Sequence, residues 1–76
     1  MKREALMEHL KKINVSVVGT SEEFAPHYKG GIWVCMESGS LSNYRPGYEN
    51  AIDDMLTKRG WLLENVDAGT AIIWPN

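Results

Sequence analysis

Cysteine is nearly absent from this sequence. Cys35 stands alone among 76 residues, which excludes an intrachain disulfide, a zinc knuckle and a Cys-x-x-Cys redox pair. Histidine is scarce as well: His9 and His27 are the only two, neither with carboxylates at metal-ligand spacing, so no metal and no cofactor is expected. Basic excess is missing, since eight Lys and Arg against ten Asp and Glu leave a net charge of −2, a poor footprint for nucleic-acid phosphates. No apolar run approaches the roughly 20 residues that span a bilayer, and Lys2-Arg3-Glu4 is not followed by a signal-peptide core. The expectation is a reduced, cytoplasmic chain with no membrane contact. Shortness excludes more: a chain of this length makes one domain, 1–76, buries only roughly 60% of its unfolded surface and leaves little room for a catalytic pocket.

What is present is patterned. Leu6, Leu10 and Ile13 recur at helical spacing among charges, predicting a first helix over residues 3–13 that stops at Asn14. Val15 to Val18 is a short β-branched run ended by Gly19, and Thr20 with Glu23 fits a capping box for one helical turn, Ser21 to Ala25, before Pro26. Ile32 to Glu37, apolar at five of six positions between Gly30-Gly31 and Ser38-Gly39-Ser40, predicts a central strand. Residues 38–47 predict a long polar loop. Tyr48, Ala51, Ile52, Met55 and Leu56 predict a second helix beginning near Pro46, with Gly60 as its C-terminal stop. Trp61 to Val66 and Thr70 to Trp74, joined by Asp67-Ala68-Gly69, predict a hairpin with positive φ at Gly69 and an end at Pro75. The fold class expected is α+β: a four-stranded antiparallel sheet with two helices on one face, in the order α-β-β-α-β-β. Leu6 to Val17 also superposes on Ile52 to Leu63 with apolar residues in register, as two similar helix-plus-hairpin halves would.

Catalytic groups are hard to find. Cys35, mid-strand, reads as a buried core thiol, and His9 as an exposed helix residue. Glu22-Glu23 and Asp53-Asp54 are adjacent pairs, and neighbours on a helix diverge by about 100°, so neither makes an acid–base couple. The Gly30-Gly31 and 39–47 stretches lack the lysine and placement of a phosphate loop. No enzyme is expected.

Binding surface is easier to find. Alternation sends Ile32, Val34 and Met36 to one side of the sheet and Trp33, Cys35 and Glu37 to the other. Two helices cover one face only, so some of Trp33, Trp61, Leu63, Ile72 or Trp74 must be covered by loops 19–31 and 38–47 or by a second molecule. The partner-binding residues expected are therefore Trp33, the loop residues Tyr44 and Arg45, and an acidic helix face carrying Glu49, Asp53 and Asp54. A protein partner with a basic surface fits this set, and a homodimer is a further possibility. The chain looks like phage-encoded inhibitors of host defence, the anti-CRISPR and anti-restriction proteins, in size and charge. That similarity implies a small non-catalytic inhibitor of a nucleic-acid-handling complex. The alternative is a nucleic-acid-binding regulator that uses the basic first helix, Lys2, Arg3, Lys11 and Lys12, with the Tyr44-Arg45 loop.

Overall fold

Leu6 and Leu10 sit one turn apart on a segment otherwise rich in charge, and that segment closes as α1, Arg3–Lys12. Both leucines are fully buried, and each contributes roughly 1.5–3 kcal/mol by leaving water. Asn14 then takes φ 66°, a left-handed conformation that asparagine tolerates better than most residues, and turns the chain into β1, Val15–Thr20. The computed structural model describes residues 1–43 and 51–76. Tyr44, Arg45 and Glu49, together with the expected helix start at Pro46 to Tyr48, lie outside the described residues.

β1 runs two residues past its expected end because Gly19 pairs with Trp33 and Thr20 with Ile32. The single turn α2, Ser21–Phe24, follows without the capping box: Thr20 still belongs to the ladder and makes no side-chain cap. β2, Ile32–Gly39, is central as expected, flanked by β1 and β4. The expected polar loop after it begins instead as a 3-10 turn, Ser40–Asn43, that drives Leu41 into the core at 1% exposure. α3, Ala51–Lys58, buries Ile52 and Leu56 and stops before Gly60 at φ 80°. β3, Trp61–Asp67, and β4, Thr70–Pro75, make the expected hairpin. Gly69 does not have the positive φ expected of it; among the described glycines that conformation falls at Gly30, Gly39 and Gly60.

The four strands form one antiparallel sheet in the order β1-β2-β4-β3. Residues directly opposite in an antiparallel ladder share a face, so the pairs Val17–Val34, Ile32–Ile73, Val34–Ala71 and Leu63–Ile73 define an inner face. Leu6 and Leu10 of α1, Ile52 and Leu56 of α3, Leu41 and Trp61 join these residues in a single core. Both longer helices thus cover the same side, the α+β arrangement that the spacing predicts. No helix among the described residues is long and apolar enough to cross a membrane. The sequence expectation placed Trp61 and Leu63 among the residues in need of cover. They belong to the inner face, where the Trp61 indole N–H donates to the Met1 carbonyl at 3.0 Å.

Candidate functional site

The second face of the sheet is built by the alternate residues of the same strands. Trp33 lies opposite Ile72 and Gly19, Cys35 opposite Thr70 and Ser16, Leu62 opposite Trp74, and Glu64 opposite Ile72. Among the described residues no helix of more than one turn covers it. Instead α2 and residues 25–31 reach across one end. The Phe24 ring lies 5.3 Å from that of Trp33, and the Tyr28 ring 6.0 Å from that of Trp74, both tilted. Of the two loops that might have closed this face, the first does so in part. The described start of the second turns to the core instead, with Leu41.

Ser21 holds this arm in place. Its hydroxyl, fully buried, donates to the Tyr28 carbonyl and accepts the Gly31 N–H at 2.9 Å, while its own N–H donates to the Gly31 carbonyl at 3.0 Å. Beside it, the Arg3 guanidinium donates to both carboxylate oxygens of Glu22, at 2.7 and 2.9 Å. Those hydrogen bonds, before any other cause, hold the Glu22 carboxyl down at about 2. The pair ties the start of α1 to the base of the arm. It also occupies Arg3, one of the four cations on which a nucleic-acid reading of the first helix rests.

Two bulges shape the face. In β1 the register shifts between Val17 and Gly19, so Val18 joins Gly19 on the outer side and lines a trough beside Trp33 and Cys35. In β3 the shift falls between Asn65 and Asp67. Strict alternation from Trp61 would send Asp67 to the helix side, whereas the bulge pairs it with Thr70 on the outer face. Asp67 there accepts the Gly69 N–H at 2.9 Å. Glu37 comes in from β2 over the same glycine, and a Cβ at Gly69 would lie 2.7 Å from its Oε1. A side chain at Gly69 would therefore have to displace only the exposed Glu37 carboxylate, and no positive φ is required there.

The result is an apolar surface with two depressions on either side of Trp33. The larger, an open trough of about 540 Å³, runs from Val18 and Trp33 to Glu37, Asp67 and Thr70. The smaller, of about 270 Å³, lies between Tyr28, Trp33, Ile72, Val66 and Glu64. Val18, Phe24, Tyr28, Leu62 and Val66 are each between 47% and 54% exposed, and all five belong to this face or to the arm across it. Met1 is the only other large hydrophobic residue so exposed among those described.

Of the residues expected to bind a partner, Trp33 stands at the centre of this surface. Asp53 and Asp54 do not join it: they are on α3, in the opposite layer, with Asp54 exposed and Asp53 half-buried. Cys35 is not the core thiol expected. It is half-buried on the outer face, with the Ser38 hydroxyl 3.7 Å from its sulfur. His9 is half-buried rather than exposed. Among the described residues no three His, Cys, Asp or Glu side chains come together as a metal site. No protein-family model, no curated protein and no solved structure matches this chain.

Proposed function

We propose that this chain is a non-catalytic protein-binding module whose recognition surface is the outer face of its sheet, centred on Trp33. One observation carries the reading: the exposed large hydrophobic residues of the strands and of the arm gather on this one side, where scattered single residues are the ordinary pattern and a contiguous patch marks an interaction surface. Trp and Tyr, the residue types that dominate interface hot spots, are both part of it, Trp33 at its centre and Tyr28 in the arm across one end. A chain that acts by covering a partner's surface, as an inhibitor of the phage type would, needs such a face and no catalytic group.

The test is positional cross-linking. The photoreactive residue p-benzoyl-phenylalanine is placed at Leu62 on the outer face or at Asp54 on α3, in cells that express the chain. Covalent adducts to another protein are expected from position 62 and not from position 54. Adducts from position 54 alone, or retention of short oligonucleotides by the purified chain in place of any protein adduct, would overturn the reading. A Leu62→Lys, Val66→Lys variant controls for folding: it should keep its circular dichroism and melting temperature while the complex is lost.

A further inference from the structure

The chemistry of the partner is written in the charges around the patch. None of the four strands contains a lysine or arginine, and their three acidic residues, Glu37, Glu64 and Asp67, are all exposed on the outer side. Glu23 of α2 adds a fourth carboxylate beside Gly19. None of these four forms an ion pair with a described residue; the described ion pairs are Arg3–Glu22 and Lys11–Glu8. Lys29, in the arm, is the one Lys or Arg in the elements that build this side. The whole chain carries −2; the four carboxylates and Lys29 give this side −3 and leave the remainder at +1, so the apolar face is also the negative pole.

On this basis, and resting on the protein-binding reading above, we infer that the outer face takes an arginine-bearing extended segment of a protein partner. A guanidinium placed in the larger trough meets the Trp33 indole on one wall and the Glu37 and Asp67 carboxylates at the Gly69 turn. That combination suits a planar, weakly hydrated cation that stacks on aromatics and gives two parallel N–H donors to carboxylates. An extended chain presents alternate side chains on one side, one for the trough and one for the smaller depression, where Tyr28, Ile72 and Val66 offer an apolar wall and Glu64 a carboxylate.

A second copy of this chain is a poor occupant by the same criteria. Face-to-face packing would oppose carboxylates with carboxylates and no strand cation between them.

The experiment uses the purified chain and three blocked pentapeptides of alternating pattern, Val-X-Val-X-Val, with X as arginine, citrulline or glutamate. Binding is followed by the NMR shifts of the Trp33 indole N–H and the Gly69 N–H. The arginine peptide should bind with both signals moving. Its affinity should fall at least about tenfold for citrulline, in Glu37→Gln, Asp67→Asn protein, and as salt rises, the factor that a lost charge-assisted hydrogen bond supplies. Asp53→Asn, Asp54→Asn protein, with the same change in net charge, should bind as the wild type does. Equal binding of citrulline and arginine peptides would overturn the inference and leave the protein-binding reading standing. Shifts confined to α3 would overturn both. Failure of every peptide at millimolar concentration would overturn the inference, as would a dimer through Trp33 by sedimentation that the arginine peptide does not dissociate.

Discussion

Ser21 is a small residue with a large share of the work of shaping the face. Replacing it by alanine leaves the Gly31 N–H buried without its acceptor and the Tyr28 carbonyl without its donor. Such a loss costs about 1–3 kcal/mol, so the urea midpoint of Ser21→Ala should drop accordingly, with looser packing of Tyr28 on Trp74 visible as altered tryptophan fluorescence. The neighbouring pair gives a pH dependence with a definite sign. Glu22 titrates in the folded state at about 2, below its ordinary 4.5, so the native state favours the charged form. Its contribution is complete above pH 4.5 and is lost as the pH falls toward 2. Acidification over that window should lower the urea midpoint of the wild type more than that of Glu22→Gln. A larger drop in the variant would reject the pair as the cause. Neither role was readable in the sequence. Ser21 looked like the start of a helical turn with Thr20 as its cap, and Arg3 looked like a free cation. Contacts between residues 19 positions apart have no local signature.

Elements were more legible than residues. Helix periodicity, β-branched runs and the Gly60 stop depend on short-range sterics, and they mark α1, α3 and all four strands. Their ends were less legible, because ladder pairing extended β1 and β2 through glycines that read as breakers. The bulges were not legible at all, since alternation carries no trace of an inserted residue, and with them went the outward placement of Asp67. The division into two faces supplies a sharp comparison within the described apolar residues. Leu56→Ala, in the core, should cost about 2–5 kcal/mol. Leu62→Ala, on the outer face, should stay within about 0.5 kcal/mol. Thermal melts of the two variants measure the difference. A large cost at Leu62 would mean that the outer face is part of the fold's own stability rather than a surface held open. Gly60→Ala, with φ at 80° and no neighbour near the added carbon, should cost about 1–2 kcal/mol from backbone conformation alone.

At the scale of the molecule, charge and hydrophobicity are sorted by layer. The helical layer carries the cations of α1 and the acids of α3, while the outer face joins exposed apolar side chains to carboxylates that form no ion pair with a described residue. Strand alternation leaves a second sheet face, with Trp33 in it, to be covered by loops 19–31 and 38–47 or by a second molecule, and the arm from the first loop covers one end of it. Sequence reasoning placed the acidity on α3, because Asp53-Asp54 is conspicuous in a linear chain and the three strand acids, spread from residue 37 to residue 67, are not. The bulges at Val18 and Val66 have a further consequence. β1 and β3 are the two margins of the sheet, and each carries an irregularity in its hydrogen-bonding row. A margin interrupted in this way is a poor template for another strand, so the sheet resists growth into ribbons and fibres even with bare apolar side chains on its flat side. Concentrated protein should remain dispersed and unreactive to amyloid dyes, and deleting Val66 to straighten β3 should make it seed fibres.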